Sequence, residues 1–159
     1  MGVAGCGKST IGSKLAAALH WQFADGDSFQ TPENIKKMAT GHPLTDSDRM
    51  PWLTSIAARI DEWVKEDKNG VIACSALKES YRQILRDKHP KDVRFVYLKG
   101  SYELFHERLT VRPVHFLKAN MLQSQFDTLE EPRDAMTVAA TLSPEEIVEQ
   151  VRLSLGMQA

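Results

Sequence analysis

The chain has 159 residues and a mass of 17.9 kDa, close to the ~150 residues of an average domain, so one domain over 1–159 is expected, with a core that needs no disulfide or structural metal. Hydrophobic residues at 42% and charged residues at 26% exclude disordered, collagen-like and disulfide-framework classes. A net charge of −1 offers no footprint for nucleic acid or an anionic membrane, and no apolar run approaches the ~20 residues that span a bilayer.

In chain order, a glycine-rich segment leads straight into a predicted helix starting near Lys8, with Ile11, Leu15 and Leu19 four apart. A short β-prone run follows at Gln22–Asp25. Trp52, Leu53, Ile56, Ala57, Ile60, Trp63 and Val64 then recur at helical spacing, before a second β-prone run at 70–74. A third run lies at 94–98, and a helix over 101–110 turns Leu104, Phe105 and Leu109 inward. A fourth run lies at 136–140. The last helix has a clear start, because Ser143-Pro144-Glu145-Glu146 joins an N-cap serine, a first-turn proline and a glutamate at the third position. Its stripe is Ile147, Val148, Val151 and Leu155. Short buried strands separated by helices predict an α/β fold with a parallel sheet flanked by helices. The stripes holding Trp52, Trp63 and Phe126 read as core and not as a base-stacking platform. The start of the chain shows no basic-then-apolar leader pattern, and Cys6 and Cys74 form no metal spacing, so a cytoplasmic location is expected.

The strongest motif is Gly2-Val3-Ala4-Gly5-Cys6-Gly7-Lys8-Ser9, which matches G-x-x-x-x-G-K-[ST]. Nucleotide phosphates need a ring of backbone N–H groups that side chains at the glycines would obstruct, and the following helix turns its positive end toward them. Gly2, Val3, Ala4, Gly5, Cys6, Gly7, Lys8, Ser9 and Thr10 are therefore the candidate nucleotide ligands, with Lys8 on the β/γ-phosphates and the Ser9 hydroxyl on Mg²⁺. The rival reading, a glycine turn that merely caps a helix, does not account for the whole pattern. Only Met1 precedes Gly2, so the strand expected before such a loop is missing, and the sequence implies a shortened chain or one that begins at an internal methionine. Asp25-Gly26-Asp27 closes the first β-prone run, at the strand end where ligands collect in parallel sheets. One carboxylate there can hold the metal's water shell while the other orients or deprotonates a hydroxyl.

These segments, with Asn34-Ile35-Lys36-Lys37-Met38, Pro43-Leu44-Thr45-Asp46-Ser47-Asp48-Arg49-Met50-Pro51-Trp52-Leu53, Cys74-Ser75-Ala76-Leu77-Lys78, Tyr81-Arg82, Met121-Leu122-Gln123-Ser124-Gln125-Phe126 and Thr128-Leu129-Glu130, resemble thermoresistant gluconokinases from Met1 to about Pro132. The resemblance implies a P-loop NTPase of nucleoside-monophosphate-kinase-like fold that phosphorylates D-gluconate to 6-phosphogluconate with ATP and Mg²⁺. It implies Lys8, Asp27 and the lid arginine Arg112 as catalytic residues, and Ser9 and Asp25 as metal ligands. Substrate ligands implied are Asp27, Arg49, Lys78, Arg82, His115 and Gln125, with a lid near 108–118. Arg49 offers a bidentate fork for a carboxylate, held by Asp46 or Asp48, and Lys78 and Arg82 are expected on one helix face. The partner is then a small-molecule substrate, with no nucleic acid and no membrane, and a homodimer is left open. The chain departs from the family at Gln30-Thr31, where His-Pro is usual, at Pro113-Val114 in the lid, at Ala139-Ala140, and at Cys6, where serine is usual. Cys6 and Cys74 are expected near one another, either as a serine substitute and a core thiol or as an oxidisable pair. Two alternatives stand beside this reading. One is another small-metabolite kinase of shikimate type, which the block 45–53 argues against; the other is a weakly active or non-catalytic nucleotide-binding relative, which the missing strand supports.

Overall fold

The computed structural model describes residues 1–111 and 121–157. Its elements in order are α1 (Lys8–Leu19), β1 (Gln22–Asp25), a single 3₁₀ turn (Gly26–Phe29), α2 (Pro32–Ala39), α3 (Asp46–Lys65), β2 (Gly70–Ala73), α4 (Glu79–Arg86), β3 (Val96–Lys99), α5 (Tyr102–Thr110), α6 (Leu122–Thr128), β4 (Met136–Ala139) and α7 (Pro144–Ser154). All four β-prone runs fold as strands. The strands form two parallel pairs, β1–β2 in register from Gln22↔Gly70 to Asp25↔Ala73, and β3–β4 from Val96↔Met136 to Lys99↔Ala139.

Among the described residues no strand precedes the phosphate loop. Met1 and Gly2 instead carry backbone hydrogen bonds to both halves of the sheet. The Met1 amine donates to the Val96 carbonyl at 2.5 Å, the Leu98 amide donates to the Met1 carbonyl at 3.0 Å, and the Gly2 amide donates to the Ser75 carbonyl at 3.2 Å. This two-residue bridge sets the start of the loop between the two pairs.

Helix starts follow side-chain chemistry. Thr45 and Asp48 form a capping box on α3, with the Asp48 amide donating to Thr45 Oγ1 at 3.1 Å and the Thr45 amide to Asp48 Oδ2 at 2.7 Å. That box starts α3 six residues ahead of its apolar face. Ser143 and Glu146 make the same box on α7, as expected. The core has two parts. Val3, Ile11, Leu15, Leu98, Phe105, Val138 and Ile147 gather α1, α5 and α7 on the β3–β4 side. Trp52, Leu53, Ile56, Tyr81 and Leu85 join α3 to α4 beside the β1–β2 pair. Leu53 and Ile56 are fully buried, each stabilising the fold by roughly 1.5–3 kcal/mol over an exposed position. Trp52 and Trp63 are buried too, so they are core as expected. No described helix is long and apolar enough to cross a membrane.

Candidate active site

The phosphate loop is shaped by its glycines. Gly7, at φ 99°, caps α1 in the left-handed region, so the amides of Lys8, Ser9 and Thr10 open the helix. Gly5, at φ 79°, lies under α5, and a Cβ there would come within 2.9 Å of the Phe105 carbonyl oxygen and 3.0 Å of Leu109 Cγ. Lys8 folds back along its own loop, its Nζ donating to the Val3 carbonyl at 2.9 Å. A cleft of about 650 Å³ runs beside the loop, lined by residues 4–11, Asp25, Asp27, Leu104, Glu107, Arg108, Leu142 and Pro144 among others.

The two carboxylates sit on this cleft. Ser9 Oγ donates to Asp25 Oδ2, and Asp25 Oδ1 accepts the Asp27 amide at 3.0 Å. The turn between them is held from beneath. A Cβ on Gly26 would stand 2.5 Å from the Ala73 carbonyl oxygen, and Trp52 Nε1 donates to the Gly26 carbonyl at 2.7 Å. A core tryptophan thus fixes the acidic turn. Ser9 and Asp25 present hard oxygen donors side by side, which suits a magnesium ion that takes one or two protein ligands and completes its shell with phosphate and water. Among the described residues no group of three or more His, Cys, Asp or Glu is placed to hold a metal ion.

Arg49 lies one turn before Trp52 on α3. Its expected partners were Asp46 or Asp48, and the structure corrects this. Asp48 closes the capping box and pairs with Lys37 at 2.6 Å, contacts that hold its carboxyl down to a pKa of about 2, Lys37 contributing most. Arg49 Nη1 donates instead to the Tyr81 hydroxyl at 3.1 Å, and that hydroxyl donates to Asp46 Oδ1. Lys78 Nζ reaches both Asp46 oxygens, at 3.1 and 3.3 Å. The Tyr81 hydrogen bond and then Lys78 hold the Asp46 carboxyl below its ordinary range. Tyr81 enters the sequence analysis only as part of the Tyr81-Arg82 block, with no role of its own. Its place between Lys78 and Arg82 was the available signal, but a tyrosine on a helix reads first as core.

Lys78 and Arg82 do not share a face. Lys78 is the N-cap of α4, in extended conformation, so it does not follow the helical spacing that carries Arg82. The Arg82 guanidinium is buried, with Nε donating to Glu79 at 2.9 Å, Nη1 to the carbonyls of Ala76 and Leu77 at 2.8 and 3.2 Å, and Nη2 to the Glu130 carbonyl at 3.0 Å. It faces into the protein, with each of its three nitrogens on a protein acceptor. Gln125, on α6, accepts the Ala4 amide at 2.7 Å through Oε1, which places it against the phosphate loop. Arg108 donates to the Ala140 carbonyl at 2.7 Å. Arg112, Pro113, Val114 and His115, and with them most of the expected lid, lie outside the described residues. Gln30 accepts a hydrogen bond from Asn34 Nδ2 at 3.0 Å while Thr31 caps α2, so both departures from the family pattern have local structural partners. Cys6 and Cys74 are free and buried, and burial pushes the Cys74 thiol up to about 11, which takes that thiol away from oxidisable thiolate.

Residues 4–154 match the sequence model of the shikimate kinase family. The chain is 46% identical to a thermoresistant gluconokinase of Escherichia coli (strain K12) over 132 residues, 83% of this chain and 75% of that one. The chain belongs to the gluconokinase family. It is also 42% identical to a gluconokinase of Gluconobacter oxydans (strain 621H), across 95% of this chain and 86% of that one. The crystal structure of a gluconokinase from Sinorhizobium meliloti 1021 superposes with a TM-score of 0.88 at 42% identity, covering 98% of this chain and 89% of that one. Family membership agrees with what the geometry offers, an α/β P-loop kinase whose nucleotide loop and acidic turn share one cleft.

Proposed function

We propose that the protein transfers the γ-phosphoryl group of ATP to D-gluconate, yielding 6-phosphogluconate and ADP. The observation that carries this reading is the contact of Ser9 with Asp25, which joins the phosphate loop to the acidic turn in one cleft. The amides of 5–10 and the start of α1 bind the β- and γ-phosphates, and Lys8 leaves the Val3 carbonyl to meet them. Ser9 and Asp25 would hold Mg²⁺, which would supply positive charge to offset that of the phosphate oxygens. Asp27 takes the proton of the attacking hydroxyl as its oxygen bonds to the γ-phosphorus and the bond from that phosphorus to the β,γ-bridging oxygen breaks. Arg49 and Lys78 receive the substrate carboxylate. Arg112 is assigned to charge compensation in the transition state and His115 to the polyol, by family resemblance. Gln125 shapes the phosphate loop through Ala4, and Arg82 holds the 76–77 loop in place; neither is assigned a direct substrate contact.

The test is ADP release with gluconate, with shikimate and with no acceptor. Gluconate-dependent turnover is expected. Shikimate-dependent turnover without a gluconate response would replace the substrate assignment, and nucleotide binding without any turnover would support the non-catalytic alternative.

A further inference from the structure

The cluster around Tyr81 has a fixed logic. A guanidinium can only donate hydrogen bonds and an ionised carboxylate can only accept them, so a group bridging the two must do both. The Tyr81 hydroxyl does so, accepting from Arg49 Nη1 at 3.1 Å and donating to Asp46 Oδ1. Its single proton is committed to Asp46, which leaves the oxygen lone pair for Arg49. The ring is 3% exposed, so the hydroxyl is delivered from a rigid, core-packed platform. Arg49 lies over that ring with its central carbon 5.5 Å from the centroid, and Lys78 Nζ lies 5.7 Å from the same centroid. Among the described residues, the Nε and Nη2 donors of Arg49 have no protein partner. That edge is the one a guanidinium uses for bidentate capture of a carboxylate. With Lys78 beside it, the cluster sets two cations against the one Asp46 carboxylate, a net positive face suited to an anion.

We propose that Tyr81 is the positioning residue of the sugar-acid site, aiming the open edge of Arg49 at the substrate carboxylate through the Arg49–Tyr81–Asp46–Lys78 chain. This rests on the reading of gluconate as substrate. Tyr81 touches no reacting atom; it acts through Arg49. Holding one face of the guanidinium on the ring and one nitrogen on the phenol removes the rotamer freedom a long side chain would otherwise lose on binding.

The experiment measures kcat and both KM values on the full chain for the unsubstituted protein, Tyr81→Phe, Arg49→Ala and the double variant. For Tyr81→Phe the gluconate KM should rise about tenfold, as for one misaligned charge-assisted hydrogen bond, with the ATP KM within about twofold and kcat within about threefold. In the double variant the gluconate KM should exceed that of Arg49→Ala by no more than about twofold, because Tyr81 has nothing left to aim. An unchanged gluconate KM in Tyr81→Phe, a parallel rise in the ATP KM, or additive effects in the double variant would each overturn the proposal. If Tyr81→Phe does not fold, Asp46→Ala keeps the ring in place while removing the acceptor of the Tyr81 hydroxyl; it should raise the gluconate KM by about threefold or more, and an unaltered value overturns the proposal. Failure of the underlying substrate reading has a different signature, an unsubstituted protein that releases no ADP in response to gluconate.

Discussion

Replacing Arg82 by methionine separates its two readings, substrate ligand and internal brace. Methionine keeps much of the apolar stem volume but removes every donor. The carbonyls of Ala76 and Leu77 lose buried partners and that of Glu130 loses a half-buried one. An unsatisfied buried acceptor costs about 1–3 kcal/mol, while Glu79 keeps Arg86 as a partner and so adds little. Allowing for partial rehydration, the loss should be about 3–5 kcal/mol, in line with breaking other buried charged networks. In a chain of this length that corresponds to a fall of about 6–20 °C in melting temperature. The function should follow the structure. Ala76 sits at φ 45°, a strained conformation for alanine that Arg82 holds in place, and the same loop delivers Lys78. Urea unfolding together with gluconate and ATP KM values tests this; the expected result is lost stability with a moderate rise in the gluconate KM alone. Stability within about 1 kcal/mol of the unsubstituted protein refutes the brace. Unchanged stability with lost gluconate affinity would return Arg82 to the substrate ligands.

Lys8→Ala should abolish phosphoryl transfer while leaving far-UV circular dichroism nearly unchanged, since Lys8 is only half-buried and its amine meets a loop carbonyl and not the core. Asp27→Asn should lower kcat by two or more orders of magnitude with little change in the gluconate KM, as about 10²–10⁴ is typical of a lost general base, whereas Asp25→Asn should shift the Mg²⁺ titration; identical behaviour of the two variants would remove the division of roles. Acid should destabilise the fold in a defined window. Asp48 and Asp61 are each held down to a pKa of about 2, the first chiefly by Lys37 and then Thr45, the second chiefly by Lys65 and then His89, against an ordinary value of 3.8. A carboxyl depressed in the folded state contributes stability above its unfolded value and loses it as pH falls through the folded one. The urea midpoint contribution of these groups should therefore be flat above about pH 5 and fall between about pH 4 and 2, and Asp48→Asn should flatten that fall.

The fold was legible wherever one local signal sufficed. The four strands are short apolar runs between helices, and the α7 capping box was readable residue by residue from Ser143 to Glu146. The apolar face that opens at Trp52 does not mark the start of α3, because the helix begins at the Thr45 box ahead of it. The phosphate loop and acidic turn were legible for a related reason. Their chemistry lies in backbone amides, glycine conformations and strand ends, all fixed by adjacent residues. What holds the turn was not legible. The indole of Trp52 on the Gly26 carbonyl spans 26 residues of sequence, and a core tryptophan carries no mark of where its N–H will point.

The basic residues show where local reading runs out. Arg49, Lys78 and Arg82 look alike as cations inside family-like blocks, yet the structure gives them three environments. A spacing of four puts two side chains on one face only if both belong to the helix, and α4 begins at Glu79, one residue too late for Lys78. Lys78, extended at the N-cap, swings to Asp46 on α3, while Arg82 enters the interior to satisfy carbonyls of the 76–77 loop and of Glu130. A single-residue difference in helix start thus decides which cation meets solvent and which braces the loop. Buried loop carbonyls need donors, and a guanidinium with five N–H groups can satisfy several at once. The loop after β2 turns through a left-handed alanine beside two such carbonyls, so it requires a multivalent donor nearby, and Arg82 is the one α4 supplies. Among the described residues Arg49 keeps an open edge, because a single phenol satisfies only one of its nitrogens. The distinction between a ligand-facing arginine and a structural one therefore lies in how many of its donors the surrounding chain already uses, a quantity set by tertiary contacts and not by the motif in which the arginine stands.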